Sequence, residues 1–337
     1  MAPENRRKPV FRSMLAACVL VTAIAPGVTP ARAETVALAT SVPDTGTNKL
    51  FVDTFIEELK KSAPDLEVER FMDSQLGNER ELIDLIKLGE IEFFIGSIHS
   101  AQYYPELDAT AVPYLFGNWA EVKAFLDGPI GERMSEALQQ RGNAVPLAYY
   151  YQGARWATTQ GRPFRTVADL KGLKMRMSEI PLWIDIWSGL GATIAPMPSN
   201  EVFSAMQTGV IDAQENMLAN IYGRQIHTVS DYLINTQHLQ SYMTLMVNKD
   251  FWDGLGEDEQ SAVKAAAVKA GEVTDAAAEE VVKEIVSDIA ATGVEVVEVD
   301  PSFRKDAMPV VEKAAQSLLA DGVWEAAVAA GSNGSAD

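Results

Sequence analysis

Cysteine and histidine are scarce in this sequence. Its single cysteine, Cys18, lies near the amino terminus, and its three histidines are His99, His227 and His238. No two histidines form a metal-ligand pair at helical spacing, and the sequence has neither a glycine-rich phosphate loop nor a G-x-S-x-G motif. We therefore predict no metal, no cofactor and, in the mature chain, no disulfide or thiolate nucleophile.

Positive charge is scarce as well. The 337 residues include 28 lysines and arginines against 47 aspartates and glutamates, which gives a formal net charge of -19. The leader described below carries five basic residues and one acidic residue, so its removal leaves a charge of about -23. A chain this acidic repels phosphates, which argues against nucleic acid and anionic membrane surfaces as partners.

The amino-terminal apolar run is too short to be a membrane anchor. It extends from Met14 to Ala25, about 12 residues, whereas a membrane-spanning helix needs roughly 20. Basic residues precede it and Ala31-Arg32-Ala33 follows it, which is typical of a signal peptide cleaved after Ala33. The letters of a lipoprotein box end at Cys18, but most of the apolar region follows that cysteine. We therefore predict an unlipidated periplasmic protein that begins at Glu34.

The mature chain alternates short β-rich runs with amphipathic helical stretches, which indicates α/β architecture with largely parallel sheets. About 300 residues are more than a single core usually holds, so two lobes are expected. The predicted strands are Val36–Thr40, Leu66–Phe71, Glu92–Gly96, Val145–Tyr150, Leu173–Met177, Thr193–Pro196, Tyr242–Val247 and Val294–Val299.

Three helices have clear sequence signals. Asn78-x-x-Glu81 predicts a capping box for a helix that ends at Gly89, and Pro198-Ser199-Asn200 begins another that ends at Gly209. From Glu257 to Ala291 no proline occurs and apolar residues recur every three or four positions, which predicts one helix of about 35 residues. Such a helix would reach roughly 50 Å and could brace both lobes. The alternative is two shorter helices broken near Gly271.

The candidate binding residues lie between Tyr149 and Asn220. Arg155, Arg176 and Asn216 are polar residues in apolar surroundings there. Strand alternation places Arg176 opposite the apolar face, so it is either exposed to solvent or available to hold a carboxylate through two parallel hydrogen bonds. Trp183 is the aromatic residue we expect beside a ligand, with core packing as the alternative.

Several segments resemble the signature of solute receptors of TRAP (tripartite ATP-independent periplasmic) transporters of the dicarboxylate-binding, DctP, family. They are Gly153-Ala154-Arg155-Trp156, Thr158-Thr159, Arg162-Pro163, Asp169 to Arg176, Pro196-Met197-Pro198 and Glu201 to Asn216. Leu76-Gly77, Glu79-Arg80-Glu81 and Pro113-Tyr114-Leu115-Phe116 match earlier landmarks of the family. The similarity spans essentially the whole mature chain in consistent order.

The resemblance implies a two-lobed periplasmic-binding-protein-like fold, with a ligand cleft between the lobes and a long helix spanning both. We expect a signal peptide at 1–33, a first lobe at 34–152 plus 242–281, and a second lobe at 153–241 plus 282–337. It further implies that Arg176 clamps the ligand carboxylate, that Arg155 is a second cationic contact and that Asn216 completes the anion site.

The resemblance implies a receptor, not an enzyme, that delivers a small organic acid to the small and large TRAP membrane subunits. A monomer is expected. Sialic-acid-type members carry an acidic residue near Ser97 and a polar amide near Val42, and both are missing here. We therefore expect a compact mono- or dicarboxylate, a 2-oxo acid or a small aldonate ahead of sialic acid. The alternatives are an exported carboxylate-based enzyme and a ligand sensor that docks on a signalling receptor.

Overall fold

The computed structural model describes residues 34–99 and 102–332. The predicted leader, with Cys18 and the cleavage site after Ala33, lies outside the described residues. Within the described ranges, no helix has the length and apolar character needed to cross a membrane.

Eleven strands and eleven α-helices occur in the described ranges. The strands are β1 Glu34–Thr40, β2 Leu66–Phe71, β3 Phe93–Gly96, β4 Ala144–Ala154, β5 Trp156–Thr159, β6 Lys174–Met177, β7 Thr193–Pro196, β8 Ala213–Asn216, β9 Tyr232–Asn235, β10 Gln240–Asn248 and β11 Glu295–Glu298. The helices are α1 Gly46–Ser62, α2 Glu79–Leu88, α3 Trp119–Leu126, α4 Pro129–Gly142, α5 Pro181–Gly189, α6 Val202–Gln207, α7 Leu218–Gly223, α8 Lys249–Gly254, α9 Glu257–Ala291, α10 Phe303–Leu318 and α11 Val323–Ser332. Short 3-10 turns lie at Ala109–Ala111, Val167–Leu170, Ser199–Glu201 and Ile226–Val229.

The strands form two sheets. The first has the order β2-β1-β3-β10-β4 and the second the order β11-β9-β5-β8-β6-β7. In the first sheet β1 is parallel to β2 and β3, while β10 runs antiparallel to β3 and β4. In the second sheet β6 is parallel to β7 and β8, and β5 runs antiparallel to β8 and β9. The predicted two-lobed α/β fold is thus confirmed.

Two chain segments cross between the sheets side by side. One leads from β4 through Arg155 into β5, and the other leads from β9 into β10. The Arg155 backbone N–H donates to the Leu239 carbonyl at 2.9 Å, and the Thr236 hydroxyl donates to the Arg155 carbonyl at 3.3 Å. These bonds join the two crossing segments directly.

Helix α9 is a single helix of 35 residues, as predicted. Val263, Ala267 and Ala270 pack in the hydrophobic cluster of the first sheet, whereas Ile285 and Ile289 pack in a cluster of the second sheet. One rigid element therefore contributes to the core of both lobes. The alternative of a break near Gly271 was wrong, because the helix continues through that glycine.

The other local predictions concern the strands and the two ends of α2. All eight predicted strands are present, and the Asn78–Glu81 capping box and the left-handed Gly89 cap of α2 are confirmed. Strands β5, β8 and β9 were not predicted. Strand β8 reads Ala-Gln-Glu-Asn, a polar sequence that resembles a loop although all four residues are buried.

The lobe boundaries remain a prediction. The carboxy-terminal helix α11 bears on them, because Val323 and Ala327 pack in a cluster with Phe94 and Tyr242 of the first sheet. We propose that α11 moves with the first lobe, although its position in the sequence places it in the range expected for the second.

Candidate functional site

A cavity of about 320 Å³ lies between the two sheets. Its walls are formed where strands of both sheets end, by Ser41 after β1, Ser97 after β3, Arg176 in β6 and Asn216 in β8. Ligands of open α/β sheets bind outside the carboxyl ends of the strands. All four residues singled out from the sequence, Arg155, Arg176, Trp183 and Asn216, line this cavity together with Glu79 and Asn220.

Arg176 is a buried cation with unused donor capacity. Its side chain is only 2% exposed, and its Nε donates to the Met197 carbonyl at 2.9 Å. Its Nη1 is buried and has no hydrogen-bond partner among the described residues. Burial lowers the pKa of Arg176 to about 10, with the negative charge of Glu215 opposing the shift, so the guanidinium remains protonated at neutral pH. The alternative of a solvent-exposed strand residue is excluded.

Arg155 has a different environment, because a carboxylate already faces it. Its Nε and Nη2 donate to the two carboxylate oxygens of Glu215 at 2.5 and 2.9 Å. His238 Nε2 lies 3.1 Å from the same carboxylate. Burial alone would raise the pKa of Glu215, but the Arg155 charge and the hydrogen bonds from His238 and Arg155 hold it well below its usual range. Of the guanidinium nitrogens of Arg155, Nη1 is the one left to reach a ligand.

Trp183 connects this cluster to the cavity wall. The Arg155 guanidinium carbon lies 4.9 Å from the centre of the Trp183 ring, a cation–π geometry. The indole N–H donates to the Ala111 carbonyl at 2.7 Å. Trp183 is therefore anchored at its polar end, and it both lines the cavity and packs in the hydrophobic core.

Asn216 lines the same cavity as Arg176. Its Oδ1 accepts from the Met217 backbone N–H at 3.0 Å and from the Asn220 side-chain amide at 3.2 Å. With the oxygen occupied in this way, the Nδ2 group of Asn216 is the donor that can turn toward a bound anion. Strand β8 thus contributes both the carboxylate that neutralises Arg155 and an amide at the cavity.

Glu79 lines the cavity from the first lobe and was not predicted as a site residue. It is the first residue of α2, and its Oε1 accepts from the Ser97 backbone N–H at 2.8 Å. A carboxylate therefore lies against Ser97, the position where an acidic residue was noted as missing. The signal was in the sequence, in the Leu76-Gly77 and Glu79-Arg80-Glu81 match, but the contact between Glu79 and Ser97 was not evident from it.

The geometry is that of an anion-binding cleft. A buried, protonated guanidinium with an open nitrogen binds carboxylates strongly, because the hydrogen bond is charge-assisted and the surroundings have a low dielectric constant. Among residues 34–99 and 102–332, no group of three or more His, Asp, Glu or Cys side chains is arranged to hold a metal ion. The fold and the cleft together define a two-lobed binding protein for small anionic solutes.

Comparisons with known proteins agree with this class. The model of the family described as bacterial extracellular solute-binding protein, family 7 (DctP), matches residues 38–321, and the chain belongs to this family. A solute-binding protein of Roseobacter denitrificans is 35% identical over 259 residues, which cover 77% of this chain and 79% of that protein. The 2,3-diketo-L-gulonate-binding periplasmic protein of Escherichia coli is 33% identical over 250 residues, which cover 74% and 75% of the two chains.

A solved structure shows more closely which class of solute-binding protein the chain resembles. A TRAP periplasmic solute-binding protein from Roseobacter denitrificans, crystallised with bound L-galactonate, superposes with a TM-score of 0.82 at 30% identity. The match covers 89% of this chain and 99% of that one. Together with the family assignment, this identifies the chain as a TRAP-type solute-binding protein, as the sequence resemblance implied.

Proposed function

We propose that this protein is an exported receptor that binds a small hydroxylated organic acid and delivers it to TRAP membrane subunits. Arg176 holds the ligand carboxylate, Asn216 donates a further hydrogen bond, and Arg155 and Trp183 form the adjoining wall. The observation that carries the proposal is the Arg176 guanidinium, buried in a cleft between two lobes with Nη1 unpartnered among the described residues. An unsatisfied buried donor of this kind costs free energy that a bound carboxylate would recover.

The Glu79 carboxylate on the cavity wall favours a hydroxylated acid over a plain dicarboxylate as the ligand. A carboxylate on the cavity wall can accept hydrogen bonds from sugar hydroxyls, whereas it would repel a second ligand carboxylate. The cavity of about 320 Å³ is at the small end of the range for small-molecule pockets, so it suits a compact molecule. Among the acids expected from the sequence, these features favour a small aldonate or a related sugar acid.

The ligands of two relatives have the same chemistry. L-galactonate is bound in the Roseobacter denitrificans structure, and the Escherichia coli relative is a 2,3-diketo-L-gulonate-binding protein. Both compounds are six-carbon acids with one carboxylate and several oxygen substituents. We infer that the ligand of this protein belongs to the same chemical class.

A thermal-shift panel tests the ligand class. We expect L-galactonate and other aldonates or uronates to raise the melting temperature of the mature protein more than succinate does. If only cations or neutral sugars stabilise the protein, the anion site is wrong. Mass spectrometry of material released from the purified protein should identify an intact acid, whereas a processed acid would favour the enzyme alternative.

The variant Glu79→Gln tests the hydroxyl contact separately from the anion site. It keeps a hydrogen-bonding group on the wall but removes the charge, so binding of aldonates should weaken while binding of succinate should not. Isothermal titration of both acids measures the two effects. Equal losses for both acids would contradict a role in ligand selection, and Glu58→Gln on the exposed face of α1 serves as the control.

Export is tested on the processed protein. We propose that the leader is cleaved after Ala33 and that the receptor acts in the periplasm. Intact-mass measurement of protein from the periplasmic fraction should show Glu34 as the first residue. A mass that includes diacylglycerol on Cys18 would show that the leader belongs to a lipoprotein instead.

A further inference from the structure

Arg224 lies at the mouth of the cleft, on the segment that follows α7. Helix α7 begins two residues after Asn216, and its residues Leu218 and Ile221 pack in a hydrophobic cluster of the second sheet. The Arg224 side chain is only 9% exposed although it is near the surface. Arg224 therefore follows a helix whose apolar side packs in the second-sheet core, while the same helix also accepts a hydrogen bond from the Thr45 hydroxyl at the Ala219 carbonyl, 3.3 Å away.

The polar contacts of Arg224 reach into the other lobe. Its Nη2 donates to the carbonyl of Ser41, and its Nη1 lies 3.1 Å from the Asp73 carboxylate. Ser41 follows β1 and Asp73 lies just beyond β2, both strands of the first sheet. One guanidinium thus ties the ends of two first-lobe strands to the second lobe.

This contact lies between the main cavity and the outside. A smaller cavity of about 230 Å³ is lined by Asp73, Arg224, Ser199 and Asn200. Ser199 and Asn200 also line the main cavity, as do Ser41 and Ser74. The Arg224–Asp73 pair therefore borders the main cavity on this side.

The backbone on both sides of the contact is held in an unusual conformation. Asp73 and Ser74 have φ angles of 51° and 62°, and Gln225 next to Arg224 has a φ angle of 56°. Non-glycine residues adopt this left-handed region at a cost, so other contacts must hold them there. For the first loop those contacts are the hydrogen bonds from Asp73 N–H to the Val42 carbonyl and from Ser74 N–H to the Thr40 carbonyl, at 2.9 and 3.1 Å.

We propose that Arg224 is a positioning residue that latches the cleft, because its contacts with Asp73 and Ser41 join the two lobes across the cleft mouth. The latch sets how quickly a bound acid leaves, and it needs no contact with the ligand. Arg224→Gln should therefore favour the open arrangement of the lobes and accelerate ligand release. Only the predicted effect on ligand release rests on the proposed receptor function, and the predicted effect on the lobe arrangement does not.

The lobe arrangement is measured without any ligand. The mature chain has no cysteine, so Leu88→Cys and Val210→Cys place one spin label on an exposed position of each lobe. Distances between the labels, measured by electron–electron double resonance, should shift to longer values when Arg224→Gln is added. Arg70→Gln is the matched control, because the ion pairs of Arg70 with Asp44 and Asp53 stay within the first lobe.

The kinetic part uses L-galactonate as the probe and stopped-flow tryptophan fluorescence as the readout. We expect Arg224→Gln to raise the dissociation rate about tenfold, with the association rate changed by no more than about twofold. Arg224→Lys should recover part of the loss, since it keeps the charge. Adding Asp73→Asn to Arg224→Gln should have little further effect, because the pair is already broken.

The possible outcomes separate the two proposals. If the label distances and the dissociation rate of Arg224→Gln equal those of the parent protein, or if Arg70→Gln has the same effect, Arg224 is not a latch. If the parent protein does not bind L-galactonate, the choice of this sugar acid is wrong. The ligand-free label distances still decide whether Arg224 holds the lobes together.

Discussion

Arg155 and Arg176 line the same cavity but have different electrostatic partners. Glu215 binds Arg155 through both carboxylate oxygens, whereas Arg176 bonds to a backbone carbonyl and keeps Nη1 unpartnered within the described part of the chain. Of the two arginines, Arg176 is therefore the one whose positive charge is not neutralised by a directly bonded carboxylate. Arg155 bonds to Glu215 and lies over the Trp183 ring, and a contact of its Nη1 with the ligand remains a prediction.

The substitution Arg176→Lys tests this difference. Lysine keeps the positive charge but lacks the planar fork that binds a carboxylate through two parallel hydrogen bonds. We expect an affinity loss of about 10- to 100-fold, which corresponds to roughly 1–3 kcal/mol. Isothermal titration measures the affinity, and a melting temperature close to that of the parent protein shows that the variant is folded. Arg165→Lys, at an exposed position outside the cleft, should bind normally.

His238 couples this buried cluster to pH. Burial lowers the pKa of His238, while its contact with Glu215 opposes the shift, and the ordinary value is 6.5. The folded protein therefore takes up protons at His238 less readily than the unfolded chain does. By linkage, the contribution of neutral His238 to the free energy of unfolding is fully present above about pH 6.5. The free energy of unfolding decreases as the pH falls below that value.

The substitution His238→Gln should flatten this part of the pH dependence. Urea denaturation between pH 7.5 and 5.5 measures it, and a single proton can contribute a slope of up to about 1.4 kcal/mol per pH unit. Glu215 does not confuse the result, because its pKa is well below its ordinary 4.5 and its contribution is lost only in stronger acid. An unchanged slope would contradict the assignment, and His227→Gln, at a histidine beside a backbone carbonyl, provides the comparison.

At the scale of elements, the second-sheet strand β8 and the long helix α9 differ most in how clearly their sequences indicate their structures. The polar side chains of β8 form part of the candidate site, so the sequence of β8 lacks the apolar–polar alternation that normally indicates a strand. Helix α9 has the opposite property, since its small residues form a continuous seam against β4 and the first sheet. Gly271 lies in that seam, where a Cβ would come within 2.9 Å of the Tyr149 carbonyl oxygen.

The substitution Gly271→Ala should therefore destabilise the protein. Helix propensity alone would favour alanine by about 1 kcal/mol, but the Cβ would displace backbone at the closest approach of α9 to β4. We expect a net loss of about 1–3 kcal/mol in the free energy of unfolding, measured by urea denaturation. Gly254→Ala, at the end of α8 with no atom within 4 Å of the new Cβ, should be neutral or stabilising. A stabilising Gly271→Ala would show that the contact is softer than the geometry indicates.

At the scale of the whole molecule, the residues that line the main cavity are divided between the two lobes. Glu79 begins α2 and Ser97 follows β3, beside the first sheet, while Arg176 and Asn216 are in strands of the second sheet. A ligand can contact both sets at once only when the lobes are close together. Ligand binding should therefore shift the population toward the closed arrangement.

Small-angle scattering tests this closure. We expect the radius of gyration of the mature protein to decrease when a stabilising acid such as L-galactonate is added. Arg176→Lys should require a higher concentration of the acid for the same decrease, because closure is coupled to binding. A radius that does not change at saturating ligand would contradict closure, even if the acid binds.

The sequence by itself determined the family, the α/β class, eight of the eleven described strands and the single helix from Glu257 to Ala291. These features depend on residues close together in the chain, because periodicity, capping and turn chemistry are local. The sequence also directed attention to Arg176, Arg155, Asn216 and Trp183, which line one cavity. Their roles in binding remain predictions.

Only the tertiary structure decided which charges meet. Glu215 neutralises Arg155, which is 60 positions away in the sequence. The Glu79 carboxylate accepts a hydrogen bond from Ser97, although helix α2 separates the two residues in the sequence. Arg224 pairs with Asp73 of the opposite lobe. In so acidic a chain, composition cannot tell a solvated carboxylate from one held against a guanidinium. The difference lies in burial and in the direction of a few hydrogen bonds, and both are set by the packing of elements distant in sequence.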